Sequence, residues 1–282
     1  MSISSNSDIL QPIVKWAGGK RQIISELDKQ IPSKYDCYFE PFLGGWSLLF
    51  HILSTNPKQK CHLFDLNKDL ITTYQVIRNR IGLLIKSLTN HYTSYSKDPK
   101  NYYYKIRDLY PVGKIEIASK FLFLNKTCYN GLYRVNSDGH FNVPFGRYKN
   151  PNIINEIMLR KINRALRSPN IQINCNDFTK ISKLTRANDF IYFDPPYFPI
   201  KKSSFTSYTE QNFNTENFDR LVNLCDSLDK KNCKVLLSNS NVSYVSNAFS
   251  KKWKKRVIRV NRFINSDSAR RLGHTELLIQ NY

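Results

Sequence analysis

The sequence predicts an α/β fold built on an open, mainly parallel sheet that one long basic insertion interrupts. Three observations predict it. Short, solidly apolar runs recur with helical stretches between them, as expected of parallel strands buried on both faces. About a hundred residues separate the second run from the third, far more than an ordinary crossover needs. The charge is lopsided, with 43 Lys and Arg against 22 Asp and Glu and a formal net charge of +21.

The strands are expected at Cys37 to Phe39, His62 to Phe64, Ile171 to Ile173, Phe190 to Phe193, Lys234 to Ser238, Arg256 to Val260 and Glu276 to Gln280. Helices fit between them. Ser47 to Leu53 follows a glycine pair, Asn152 to Leu166 repeats apolar residues at spacings of three and four, and Thr215 to Leu228 opens on a threonine cap. Strand and helix in alternation define the α/β class.

Composition narrows the function. The 282 residues are 41% hydrophobic and 23% charged, which is globular and excludes a disordered, collagenous or low-complexity chain. No apolar run approaches the roughly 18 residues that span a bilayer. The segment Met1 to Leu10 has neither the basic nor the apolar part of a signal peptide, so a soluble, cytoplasmic protein is expected. The six cysteines include no Cys-x-x-Cys pair, which reads as reduced structural thiols and no metal site. The positive charge points to a polyanion, nucleic acid first. Biased base composition is the alternative, although such bias does not by itself deplete Asp and Glu.

The insertion, 66–155, carries 14 Lys and Arg against 5 Asp and Glu, so +9 of the +21 lies there. Its latter half, Asn125 to Arg147, reads as a hairpin turning at Asn136-Ser137-Asp138-Gly139. The expected layout is a catalytic sheet in two parts, 1–65 and 156–282, around this insertion.

The sharpest motif is Asp194-Pro195-Pro196-Tyr197 at the end of the strand Phe190 to Phe193. A strand followed by a Pro-Pro turn is the plain reading. Two prolines, however, fix an extended backbone and remove two N–H donors. What remains is the Asp194 carboxylate and the Pro195 carbonyl, two acceptors, beside the face of Tyr197. That suits a planar ring with an exocyclic amino group, such as adenine. The amino lone pair is delocalised into the ring, and two acceptors holding its N–H bonds out of plane would aim it at an electrophilic methyl group. The Tyr197 ring could also stabilise a sulfonium cation. A base inside a duplex would have to be flipped out to arrive.

Three further segments add to this. Phe39-Glu40-Pro41-Phe42-Leu43-Gly44-Gly45 runs from a strand into a helix, where glycines let a ligand approach the backbone. Asp65, at the end of the next strand, stands where a nucleoside-binding sheet places a ribose-binding acid. Val14-Lys15-Trp16-Ala17-Gly18-Gly19-Lys20 precedes the first strand and reads equally as a turn with an exposed lysine. Asn176-Asp177-Phe178 follows the Ile171 strand, where the acid is either an acceptor for an adenine amino group or a helix cap.

In this order, Lys15 to Lys20, Glu40 to Gly45 and Asp194 to Tyr197, the chain closely resembles DNA adenine-N6 methyltransferases of the Dam type, the D12 class. The stretch Asn125 to Arg134 and on through Phe141 to Arg147 resembles that family's recognition hairpin, and Glu276 to Tyr282 its ending. The resemblance implies a Rossmann-like methyltransferase sheet with an inserted helical and β-hairpin recognition domain. It implies S-adenosylmethionine as methyl donor, leaving as S-adenosylhomocysteine, no metal, and adenine in double-stranded DNA as acceptor. By motif, Asp194, Pro195, Pro196 and Tyr197 are the catalytic set. Trp16, Lys20, Phe42, Gly44, Asp65, Asp177, Phe178 and Asp194 match donor-site positions. Lys15, Leu132, Arg134 and Pro144 match positions that read bases, Tyr129 and Asn130 lie where the flipped base leaves its gap, and Arg147 matches a phosphate contact. The Leu132, Arg134 and Pro144 pattern resembles members that read GATC, with a restriction endonuclease as a possible partner on the same site.

One position departs. The family loop usually reads Phe-x-Gly-x-Gly, and here the last residue is Trp46, whose indole would narrow the donor pocket or fold back over it. Two rival readings follow: a methyltransferase acting on RNA adenine or a protein amide, and a DNA-binding module of this fold with a weakened donor site. The basic insertion speaks against a peptide substrate.

Overall fold

A computed structural model describes residues 10–16, 18–198, 213–260 and 274–282. In chain order its elements are α1 (Ile24–Asp28), β1 (Cys37–Glu40), α2 (Ser47–Thr55), β2 (Lys60–Asp65), α3 (Lys68–Asn79), α4 (Ile81–Lys97), α5 (Pro99–Arg107), α6 (Lys114–Thr127), α7 (Glu156–Leu166), β3 (Ile171–Cys175), β4 (Phe190–Phe193), α8 (Thr215–Lys230), β5 (Lys234–Ser240), α9 (Ser243–Ala248), β6 (Lys254–Val260) and β7 (His274–Gln280). Every expected strand is present, most extended by one to three residues. Two helix starts are corrected. The helix expected from Asn152 begins at Glu156 under an Asn155 cap, and the one expected to open on a threonine cap is capped by Asn214, which accepts from the Asn217 N–H at 2.9 Å.

The chain divides into two compact units. The first takes the described residues of Met1–Gly19, Gly44–Lys58 and Asn67–Cys175; the second takes those of Lys20–Leu43, Gln59–Leu66 and Asn176–Tyr282.

Six strands of a seven-stranded sheet belong to the second unit, in the order β2-β1-β4-β5-β7-β6. The pairings β2/β1, β1/β4 and β4/β5 are parallel, whereas β7 runs antiparallel between β5 and β6. All four residues of β4 are buried, so its unbroken apolar run follows from its central place. Phe39, Ile191, Phe193, Val235 and Leu237 meet Phe218, Leu221 and Leu228 of α8 in one core. Asp189, just before β4, accepts from the N–H groups of Cys37 and Arg186, which ties the starts of β1 and β4 together. The order of β1 neighbours reverses between β2 and β4. In open α/β sheets that reversal opens a crevice at the carboxyl ends of the strands, where ligands bind.

The first unit is mainly helical. Its centre is α6, in which Phe121, Leu122, Phe123 and Leu124 are consecutively buried, a turn apolar on all sides because other helices surround it. Asn67, Asp98 and Asn155 cap α3, α5 and α7 with side-chain oxygens, each satisfying an otherwise orphaned N–H.

After α6 comes the predicted hairpin, shorter than expected because Asn125, Lys126 and Thr127 are the last residues of the helix. The turn Asn136 to Gly139 forms as expected, with Gly139 at φ +80°. The two arms are joined by bridges at Val135 with Phe141 and Cys128 with Phe145, without a continuous ladder. Among the described residues, which include all six cysteines, none is in a disulfide. Among the described residues no helix is long and apolar enough to cross a membrane. The basic C-terminal stretch Lys251 to Arg271 lies outside the described residues beyond position 260.

Candidate active site

Within the second unit, β1 ends in Glu40, β2 in Asp65 and β4 delivers Asp194 one residue past its end. These strand ends flank the topological reversal, so the sheet itself gathers the carboxylates. Lys20, in a 3-10 turn ahead of α1, joins them. Its ammonium lies 2.7 Å from Asp194 Oδ1 with only 4% of the lysine side chain exposed, and it sits over the Tyr197 ring at 4.6 Å from the centroid. Asp194 and the Tyr197 ring thus share one cation. That cation is Lys20, a residue expected in the donor site together with Asp194.

Burial pushes the Asp194 carboxyl up to about 6, although the Lys20 ammonium pulls the other way. Burial also pushes Glu40 well above the carboxylate range. The Tyr38 hydroxyl, which donates to Glu40 at 3.0 Å, opposes that rise, and the negative charges of Asp194 and Asp65 add to it. Tyr197 donates its hydroxyl to Glu276 Oε2 at 2.7 Å. Its own ionisation is pushed well up, first by burial and then by Asp194 and Glu276. Tyr192, from the middle of β4, bonds Ser238 of β5 at 2.9 Å.

A second cluster in this unit is aromatic. Phe42 stacks on Phe178 at 5.2 Å, with Phe213 against its edge at 5.6 Å. Asp177 is the cap of the 3-10 helix Phe178–Lys183, accepting from the Thr179 N–H at 2.9 Å and from Arg220 at 3.1 Å. Burial would raise the Asp177 carboxyl, but Thr179 and the Arg220 guanidinium outweigh it and hold the group below its ordinary value. The capping alternative is therefore the one realised at Asp177 Oδ1.

The remaining candidates lie in the first unit. Trp16 packs on the glycine loop: a Cβ on Gly44, which has φ +46°, would stand 2.8 Å from Trp16 Cδ1, and one on Gly45 3.1 Å from Trp16 Cβ. The Trp16 ring also stacks on Tyr133 at 5.4 Å. The departing residue Trp46 is 1% exposed, stacked on Tyr74 with Phe50 at its edge. Its indole is core, which replaces both expectations for it.

On the hairpin, Tyr129, Asn130, Arg134, Pro144 and Arg147 are exposed, and Leu132 is half-buried. Asn130 and Arg147 both hold positive φ. Arg134 is fixed by Asn142, which accepts from Nε at 2.6 Å through its side chain and from Nη2 at 3.2 Å through its carbonyl. Lys15 is fixed by Asn125, whose amide accepts from the Lys15 N–H and donates to the Lys15 carbonyl, both at 2.8 Å. Asn125 also donates to the Gly131 carbonyl, so one buried amide joins the Lys15 segment to the hairpin's first turn. Sequence reasoning gave no role to Asn125, Asn142 or Glu276. All three stand inside recognised motifs, but pairing partners this distant carry no sequence signal.

An α/β sheet with acids at its parallel strand ends beside a topological reversal has the form of a ligand-binding sheet. Residues 16–264 match the model of the D12 class N6 adenine-specific DNA methyltransferases, and the chain belongs to that family. It is an adenine-specific DNA methyltransferase, EC 2.1.1.72. It is 41% identical to the type II methyltransferase M.MjaIII of Methanocaldococcus jannaschii, over 97% of this chain and 99% of that one. It is 37% identical to the type II methyltransferase M1.LlaDCHI of Lactococcus lactis subsp. cremoris, over 99% and 98%. The DNA adenine methylase of Escherichia coli (strain K12) is 30% identical over 94% and 93%.

Proposed function

We propose that this enzyme moves a methyl group from S-adenosylmethionine to N6 of an adenine flipped out of duplex DNA, within GATC. The observation that carries this reading is the Asp194 carboxylate held by Lys20 beside the Tyr197 face. The donor set suits that cofactor. Asp65 and Asp194 would repel a polyphosphate group and attract a cationic nucleoside, while Phe42 and Phe178 offer an apolar edge for a purine. Among the described residues no cluster of His, Cys, Asp and Glu could hold a metal. Asp65 is the candidate for the ribose hydroxyls, with Phe42, Asp177 and Phe178 toward the adenine end and Lys20 beside Asp194; Trp16 and Gly44 are assigned to the donor by motif alone.

Bound there, S-adenosylmethionine supplies an electrophilic methyl on positively charged sulfur. Asp194 and the Pro195 carbonyl accept the two N6–H bonds and turn the nitrogen lone pair out of the ring. The nitrogen would bond the methyl carbon as the sulfur–carbon electron pair returned to the donor's sulfur. The N6 proton then leaves, with the Asp194 carboxylate as its first acceptor and water beyond. Pro196 keeps the segment extended and Tyr197 carries the flipped base on its face.

The chain segment 66–155 is the target-recognition domain in this reading, with 1–65 and 156–282 catalytic. Arg134, fixed by Asn142 through Nε and one N–H of Nη2, has Nη1 and the second N–H of Nη2 to donate to guanine O6 and N7. Lys15, Leu132 and Pro144 read the neighbouring bases, Tyr129 and Asn130 enter the gap, and Arg147 holds a phosphate. Relatives that are type II methyltransferases and DNA adenine methylases support action either beside a restriction endonuclease or as a stand-alone modification enzyme.

Methylation rates on duplexes altered one base pair at a time test the site. GATC is expected to be fastest by far, and equal rates on its variants would refute that specificity. Arg134→Ala is expected to lose about 1–3 kcal/mol of discrimination at a single base pair. A uniform weakening on all sequences would make Arg134 a phosphate contact.

A further inference from the structure

Glu276 stands in the catalytic unit without a role in the reaction as described. It is 8% exposed, and the donor it meets among the described residues is the Tyr197 hydroxyl at 2.7 Å. A carboxylate this buried is costly to keep unless something uses it. Topology explains how it arrives. The parallel strands all end at one edge, and β7, running the other way, begins there. Glu276 therefore lies opposite Ser240, at the end of β5. The backbone beyond Tyr197 is secured from the same strand: Asn239 Oδ1 accepts the Phe198 N–H at 3.0 Å, and the Ser240 hydroxyl donates to the Phe198 carbonyl at 2.6 Å. The Tyr197 ring is thus gripped at its hydroxyl by β7 and beyond its backbone by β5. A phenol that donates to a carboxylate has a more electron-rich ring, and the face of this ring already receives a cation, Lys20.

We propose that Glu276 is a positioning residue for methyl transfer, holding the Tyr197 ring in place through its hydroxyl and strengthening the attraction of that ring's face for positive charge. The proposal rests on the reading that Tyr197 receives the flipped adenine. Glu276→Gln keeps an acceptor of the same shape and removes the charge, while Tyr197→Phe removes the hydroxyl and keeps the ring.

Single-turnover methylation of a GATC duplex by the full chain, with duplex and donor affinities measured alongside, is the test. Each variant is expected to lose on the order of 10- to 100-fold in rate, the worth of a charge-assisted hydrogen bond, with both affinities held within about twofold. The double variant is expected to be no slower than the slower single one, because both changes remove one interaction. Full rate in Glu276→Gln, or losses that multiply in the double variant, would overturn the proposal. If Glu276→Gln fails to fold, Tyr197→Phe alone decides, and full rate there overturns it. Tyr197→Ala separates the underlying reading: full rate in that variant would sink the stacking role itself, whereas loss there with none in Glu276→Gln would sink only the role of Glu276.

Discussion

Asp194→Ala is expected to lower single-turnover methyl transfer by about 10³-fold or more while donor binding remains measurable. The carboxylate is the strongest acceptor available to the amino group, and the Pro195 carbonyl alone cannot turn the lone pair from the ring. The alanine variant also strands the Lys20 ammonium, which is 4% exposed, and breaking a buried pair costs about 3–5 kcal/mol. Asp194→Asn is therefore the companion variant. It keeps an acceptor oxygen and a partner for Lys20, so it should fold better and retain more activity than alanine. A near-normal rate in either would overturn the acceptor role.

The same group sets a pH dependence. Asp194 is pushed up to about 6, and only its ionised form presents acceptors alone. The single-turnover rate should therefore fall as pH drops through about 6 and level off above it. Lys20 works against the rise, so Lys20→Met should move the midpoint upward. A rate flat between pH 5 and pH 8, or a midpoint that moves down in Lys20→Met, would contradict this assignment.

Why the motif was legible and its partners were not follows from how each is encoded. Phe190 to Phe193 with Asp194 to Tyr197 is continuous, and an unbroken apolar run ending in Pro-Pro has few structural readings. The strand ends Glu40 and Asp65 were legible for the same reason. Lys20 with Asp194 was not, because it takes the adjacency of β1 and β4 to bring a turn before the first strand to the end of the fourth. Glu276 required knowing that β7 runs antiparallel. Asp177 was ambiguous, since a cap and a ligand contact ask for the same side chain in the same place. The helices of 68–127 escaped because α6 is buried on every side from Ala118 onward and shows no amphipathic period, and because Tyr74, Tyr95 and Tyr103 serve as core residues.

The glycine loop carries the second large prediction. Gly44 and Trp46 both adopt left-handed backbone, φ +46° and φ +68°, yet one is the smallest residue and the other the largest. Backbone angle alone therefore does not decide which position must be glycine. Space does. The Trp46 side chain leaves the loop into the core and stacks on Tyr74 at 3.5 Å between ring centroids, so burial offsets roughly 1–2 kcal/mol of left-handed strain. At Gly44 a methyl group would meet Trp16 Cδ1 at 2.8 Å and Nε1 at 2.9 Å. The loop cannot retreat freely, because the Gly44 carbonyl accepts the Tyr74 hydroxyl at 3.1 Å. Gly44→Ala should therefore combine strain with overpacking and cost about 2–5 kcal/mol, with weaker donor binding as Trp16 is displaced. Gly82→Ala, in the first turn of α4 with nothing within 4 Å of the added carbon, is the control and should be neutral or stabilise by up to about 1 kcal/mol. Urea unfolding of both variants and donor titration of each decide the matter, and a Gly44→Ala variant as stable as the parent would show that the loop and Trp16 are free to part.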